Sequence, residues 1–380
     1  MFERTEEQQA LAEAVRSFCV AEIAPHAEAD DEAERFRKEL VSAMGEQGFC
    51  GVPTPEEYGG LGLGYLDYCI VLEEIAKVSA AYAVTVAVNG LPQIILGKMG
   101  SEEQRQAWLP RLAAGEALGA FALSESGSGS DAAALRTTAV QRGGEWVLNG
   151  SKMWITSAGY ADLYVVMART GGVGPRGISA FLVPGDTAGV SFGKKERKMG
   201  MRASPTAELV LEDVRVPLDA LVSGEGQGFT VAMAALDSGR ITIGATAVGL
   251  AQAALDTAGT YATEREQFGQ PIVDFQGVSF MLADMACRVE AARLLVHKAA
   301  WMRDNDRDYS PIAAMAKCVA TDAAMAVTTD AVQVLGGNGY TREYPTERYM
   351  RDAKVMQIVE GTNQIQRLVI GRHLKRTYTR

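Results

Sequence analysis

Apolar residues in this sequence change their spacing twice, and the two changes divide it into three zones. Residues 1–120 carry a helical period: Leu11, Ala14, Val15 and Phe18 recur at three- and four-residue steps and form one stripe. The Pro/Gly-rich loop 53–64 interrupts it, a second helical stretch runs from Tyr65 to Gly90, and Ser101-Glu-Glu-Gln predicts a capped helix start. Residues 121–228 take the period of strands. A Gly143-Gly144 turn and an Asn149-Gly150 turn are expected within 137–156, with further strands at 163–169, 178–184 and 207–217. From 229 to 380 the helical period returns, over 229–266, 275–303 and 310–337. These helices are apolar on several faces, as in the inside of a bundle or a subunit interface. The expectation is an α+β chain of three domains: helical (1–120), antiparallel β (121–228) and helical bundle (229–380).

A chain of 380 residues exceeds the roughly 250–300 at which one core stops growing, which fits a multidomain reading. The net charge of −10, without a Lys/Arg block to offset it, argues against nucleic acid as a partner. Five scattered cysteines without a C-x-x-C pair suit reduced, buried thiols, and three distant histidines give no metal-ligand spacing. The acidic, amphipathic N-terminus is neither a signal nor a transit sequence, and no apolar run approaches the ~20 residues of a membrane span. A cytoplasmic protein without membrane contact is therefore expected.

Several local patterns carry chemistry, each beside a plainer reading. GSGSDA (127–132) matches the dinucleotide fingerprint G-x-G-x-x-A, but a hairpin rather than a helix is expected after it, so the parallel βα context fails. Its free N–H groups still suit phosphate or flavin atoms. Glu360 stands among Val355, Ile358 and Val359, just before Gly361. Desolvation there would raise its pKa toward that of a general base; a helix-terminal, solvated Glu is an equal alternative. Trp154 and Thr156 end a strand, where an aromatic is more often core than cofactor platform. Arg240 reads either as a surface ion pair or as an anion clamp.

Taken together, five segments resemble the acyl-CoA dehydrogenase family, in order and at its spacing: FALSESGSGSD (121–131), MWITSA (153–158), EREQFGQPI (264–272), DAVQVLGGNGY (330–340) and RDAKVMQIVEGTNQIQR (351–367). The resemblance implies a C-terminal four-helix bundle, FAD as cofactor, an acyl-CoA substrate, a homotetramer built as a dimer of dimers and an electron-transfer flavoprotein as acceptor. It implies Glu360 as the catalytic base. Phe121, Leu123, Ser124, Gly129 and Ser130 match the loop around the flavin, and Trp154, Ile155 and Thr156 the strand beside its ring. Thr362, Asn363 and Gln364 match FAD contacts after the base, while Arg265, Phe268, Gln276, Gln333, Gly336 and Gly337 match groups that reach a neighbouring subunit's FAD. Ser130, Asp237, Arg240 and Gly361 match the acyl-CoA site.

The reaction so implied is α,β-dehydrogenation to a trans-2-enoyl-CoA, with the α-proton going to Glu360 and the β-hydride to flavin N5. A thioester α-C–H is a weak acid, so a placed base and fixed donors at the enolate oxygen are both required. Ser126 and Ser157 depart from the family's usual Pro and Asn without removing a reacting group. A subset of the family carries its base at the position of Gly239; glycine cannot serve, which favours Glu360. The ending QRLVIGRHLKR (366–376) resembles the short-chain and short-branched-chain members most.

Overall fold

The computed structural model describes residues 3–379. Its first part is helical, with α1 (Glu6–Phe18), α2 (Ala24–Glu32), α3 (Lys38–Glu46), α4 (Tyr65–Val78), α5 (Ala80–Met99) and α6 (Glu102–Ala113). The predicted cap of α6 is present: Ser101 Oγ accepts from Gln104 N at 3.2 Å, and Gln104 Oε1 accepts from Ser101 N at 3.1 Å. The second helical stretch differs from its expectation. Ser79, extended at φ −150°, splits it into α4 and α5, and α5 then continues through Gly90 and Pro92 to Met99. Burial on all sides of α5 outweighs the local cost of those two residues.

The middle part holds β1 (Gly119–Ala122), β2 (Thr138–Arg142), β3 (Glu145–Thr156), β4 (Leu163–Arg169), β5 (Ile178–Pro184), β6 (Val190–Phe192), β7 (Thr206–Pro217) and β8 (Leu221–Val222). They form one sheet in the order β6-β7-β3-β2-β4-β5-β8, with β1 beside β4. Most pairs are antiparallel as expected, but β1 runs parallel to β4, and so does the single β2–β4 pairing at Thr138 and Arg169. A parallel pair needs a long crossover, and the chain between β1 and β4 supplies it with the β2–β3 hairpin. That hairpin turns at Gly143 and Gly144, both at positive φ, as a two-residue turn requires.

The Asn149-Gly150 turn does not occur. Strand β3 runs straight through it, and the irregularity is an extra residue on β7, where Asp213 (φ 51°) exchanges hydrogen bonds with the Asn149 side chain.

The last part contains α7 (Gly228–Glu264), the two-stranded β9 (Glu266–Gln267) and β10 (Gln270–Pro271), α8 (Gln276–Asp304), α9 (Ser310–Leu335), α10 (Gly337–Tyr340), α11 (Thr346–Met356) and α12 (Asn363–Tyr378). Helices α7, α8 and α9 pack on one another, α12 lies on α9, and α4 and α5 of the first part pack on α7. One hydrophobic core therefore runs from Val15 through the sheet to Met356. By length and composition α5, α7 and α9 are apolar enough to cross a membrane, which corrects the expectation that no run would be. Their apolar windows are 89%, 78% and 61% buried inside the protein. The thiols also differ in one case: Cys287 is exposed, and the other four are buried.

Candidate active site

Glu360 does not end a helix. Helix α11 stops at Met356, and the chain crosses to α12 through a turn in which Glu360 (φ 54°) and Gly361 (φ 86°) are both left-handed. A non-glycine residue in that region is held there by its surroundings. Gln366 Nε2 donates to the carbonyls of Glu360 (3.0 Å) and Gly361 (2.7 Å). The Lys317 ammonium, reaching from α9, donates to Gly361 O and Asn363 Oδ1, both at 2.9 Å. Asn363 in turn donates to Thr321 (3.0 Å) and Asp322 (2.6 Å), and the Thr362 hydroxyl caps α12 by accepting from Ile365 N at 3.3 Å.

The turn aims the carboxylate inward at α7. A Cβ at Gly239 would lie 2.7 Å from Glu360 Oε2 and 3.4 Å from Leu91 Cδ2. The residue as a whole is only partly covered, yet Oε2 itself is enclosed and has no hydrogen-bond partner. Burial therefore pushes the Glu360 carboxyl up to about 7, with the charges of Arg240 and Lys317 opposing the rise. Of the groups expected around it, Ile358 is 53% exposed while Val355 and Val359 are partly buried against the core, and α7 closes on the carboxylate at Gly239 with Leu91 of α5 beside it. Arg240 is buried and paired with Asp237 one turn back, so it is no surface ion pair. Burial raises the Asp237 carboxyl from its ordinary value, while Arg240 opposes that shift.

The loop 121–131 is tied to β3. Lys152, fully buried, donates to Leu123 O (3.2 Å) and to Glu125 Oε1 (2.7 Å), and Met153 N donates to Ser124 O (2.8 Å). Glu125 also accepts from the backbone N–H groups of Arg136 (2.6 Å) and Thr137 (2.9 Å). Only a short 3-10 turn at 132–134 follows the Gly/Ser stretch, so no dinucleotide-type helix begins there. Beyond Lys152 the β3–β7 register slips by one residue before Ile155. At that bulge Trp154 takes φ 65° and stands 60% exposed, while Ile155 is buried and Thr156 pairs with Thr206. Trp154 is thus a surface aromatic and not the core residue that strand ends usually hold.

The residues expected to serve a neighbouring subunit all lie exposed: Arg265, Phe268, Gln276, Gln333, Gly336 and Gly337, together with Gln364. Phe268 is 95% exposed at φ 55° and meets Phe275 edge-on at 5.9 Å. Asn338 donates to Tyr261 Oη at 2.8 Å, which sets the Gly336-Gly337 turn beside the end of α7.

These features accommodate a large, flat, anionic cofactor. Trp154 is an exposed aromatic, the buried Ser157 hydroxyl lacks a partner among the described residues, and Gly127, Gly129, Gly336 and Gly337 have open space where side chains would stand. Two surface clefts, one of about 170 Å³ beside Glu28 and Arg348 and one of about 370 Å³ beside Trp108 and Phe192, lie on other residues entirely. Chemistry at Glu360 outweighs cleft size in locating the site. Sequence reasoning missed Lys317, Gln366 and Lys152; a lysine amid Ala-rich α9 was the one available signal for the first.

A helical–β–helical chain with an enclosed carboxylate at the seam of its helices defines a class, and comparison with known proteins gives it a family. The acyl-CoA dehydrogenase N-terminal, middle and C-terminal domain models match residues 5–116, 120–214 and 226–375. The chain belongs to the acyl-CoA dehydrogenase family. It is 50% identical over 378 residues to "Probable acyl-CoA dehydrogenase FadE25" of Mycobacterium tuberculosis, covering 99% of this chain and 97% of that one. It is 47% identical over 380 residues to the mitochondrial short-chain specific acyl-CoA dehydrogenase of Bos taurus (99% and 92%). Among solved structures, butyryl-CoA dehydrogenase from Megasphaera elsdenii superposes with a TM-score of 0.97 at 42% identity (98% and 99%). A chain described under "Electron transferring flavoprotein of Acidaminococcus fermentans" does so with 0.97 at 48% (99% and 100%). The protein is an acyl-CoA dehydrogenase, a flavoprotein oxidoreductase.

Proposed function

We propose that Glu360 is the base that removes the α-proton of the acyl-CoA thioester, and that the product is the trans-2-enoyl-CoA. The observation that carries this is the enclosed, unpartnered Oε2 of Glu360, pushed up to about 7 by burial and flanked by Arg240 and Lys317. A carboxylate poised near neutral pH can both take a proton and hold it. Glu360 lies in a left-handed turn, and its backbone N–H would be a donor to the thioester carbonyl, of the type that stabilises a developing enolate oxygen. Asp237 and Arg240 would face the acyl-CoA, with Ser130 on the loop opposite and Gly361 at the thioester.

FAD, when bound, supplies the acceptor for the β-hydride. The residues that would hold it are the loop 121–130, Trp154–Thr156 and Thr362–Gln364 of one subunit. Arg265, Phe268, Gln276, Gln333, Gly336 and Gly337 would belong to a neighbour. The exposed apolar groups Phe268, Phe280, Tyr340 and Leu368 support a homotetramer in which such sharing is possible. An electron-transfer flavoprotein is the proposed acceptor, and the 60% exposed Trp154 suits electron exit there. A short or short-branched acyl chain is the proposed substrate, on the likeness to short-chain relatives.

Anaerobic titration with butyryl-CoA, isobutyryl-CoA and octanoyl-CoA, followed through the flavin absorbance, tests the reading. Bleaching by a short acyl-CoA is expected in the parent, and in Glu360→Gln the rate should fall by a factor on the order of 10²–10⁴ or more. A Glu360→Gln variant that bleaches as fast as the parent rules Glu360 out as the base.

A further inference from the structure

We propose that Lys317 is a positioning residue for the base: its ammonium clamps the Glu360–Gly361 turn and supplies a fixed positive charge beside the carboxylate. The inference rests on Glu360 being the base. Lys317 is fully buried on α9, where a lysine has no structural reason to stand unless its charge is used. Its two identified acceptors, Gly361 O and Asn363 Oδ1 at 2.9 Å each, both lie on the segment that carries Glu360. Neither acceptor is a carboxylate, and among the described residues no ion pair in direct contact neutralises the ammonium.

The clamp is specific to the chain direction at the base. Gln366 holds the Glu360 and Gly361 carbonyls from α12, and Lys317 holds the Gly361 carbonyl from α9. The left-handed peptide pair is therefore gripped from two helices. Removing one grip frees backbone that is unfavourable for a non-glycine residue.

The charge acts on the same group. Arg240, with its partner Asp237, on α7 and Lys317 on α9 act on Glu360; Cys318 and Asp322 on α9 stand around Lys317, and Asp322 pairs with Arg367 of α12 at 3.0 Å. From α5 the neighbour is Leu91, which is uncharged. Asp237 and Asp322 each have a cation or amide of their own, which leaves Arg240 and Lys317 as the cations acting on the base. Burial pushes the Lys317 ammonium down to about 8, with Glu360 opposing that fall, so it stays charged where the base works.

The test uses the FAD-loaded protein and the variants Lys317→Met, Lys317→Gln and Lys317→Arg, with Glu360→Gln as control. Two readouts are taken against pH: single-turnover flavin reduction by butyryl-CoA, and infrared absorption of the protonated carboxyl that is missing in Glu360→Gln. Loss of the charge should move both titrations upward by about one unit in Lys317→Met and Lys317→Gln, which is roughly a tenfold slower reduction below neutrality, recovering in alkali. Lys317→Arg should titrate like the parent. If Lys317→Met fails to fold, the contrast between Lys317→Gln and Lys317→Arg decides alone. Parental titrations in Lys317→Gln, or a rate loss equal at every pH, overturn the proposal. In those outcomes a slow Glu360→Gln still keeps Glu360 as base, whereas a fast one removes the reading beneath it.

Discussion

The carboxylate of Glu360 occupies the space that a side chain at position 239 would need. A Cβ there would approach Oε2 to 2.7 Å and Cδ to 3.0 Å. The position at which a subset of the family carries its base and the position of Glu360 thus converge on one point between α7 and the α11–α12 turn. A side chain at 239 would require the Glu360 carboxylate to shift from its present place.

Gly239→Ala should therefore displace the carboxylate while leaving helix α7 intact. Misplacement of about 1 Å costs on the order of 10²-fold in rate. Stopped-flow flavin reduction should slow by that order with FAD content unchanged; a parental rate would mean that the carboxylate is not constrained by α7.

The pH dependence has two opposite signs. Burial raises Glu360 to about 7 in the folded protein, so proton abstraction should accelerate as pH rises through that value and level off above it. Stability runs the other way. A carboxyl whose folded pKa is raised contributes fully below its ordinary range and loses that contribution as pH rises through the folded pKa. Asp352, pushed up to about 6 by burial, adds the same sign. Glu360→Gln should then melt above the parent at alkaline pH, with the gap closing toward acid, as calorimetry across that range would register.

Lys152 and Glu125 form a buried pair whose disruption leaves a carboxylate without its cation. Breaking such a pair from one side typically costs about 3–5 kcal/mol. Lys152→Met should lower the denaturation free energy by that order and loosen FAD, since the loop 121–131 loses its anchor on β3. Urea titration of the FAD-free protein separates the two effects.

Phe268→Ala removes a side chain that meets Phe275 edge-on and is 95% exposed. The fold of the subunit should be unaffected. If Phe268 reaches a neighbour, the variant should show smaller species by sedimentation and faster FAD loss on dilution; a parental profile would remove it from the interface.

The three zones of apolar spacing were readable because each follows from neighbours in sequence. Ser101 with Gln104, and the Gly143-Gly144 turn, are local devices of the same kind. Ser79 was not readable: the break it makes depends on α4 and α5 being buried together, not on any turn residue. Asn149-Gly150 has turn chemistry but lies in a strand, because β7 absorbs the irregularity through Asp213. At the site, Glu360 stood out by its residues, yet what encloses it comes from Leu91 and Gly239, more than a hundred positions away. Lys317 showed only as a lysine amid Ala-rich α9, with no hint of its role, since its acceptors lie on another helix junction.

Lys152 and Trp154 are two apart on β3, and on a regular strand they would share a face. One is sealed and the other exposed, because a single surplus residue changes the parity of the strand between them. Regular pairing through Met153 and Trp154 would instead turn the indole inward beside the lysine. The fold gives up one rung of its ladder, and what it gains is an aromatic surface looking outward at the point where the loop is bolted down.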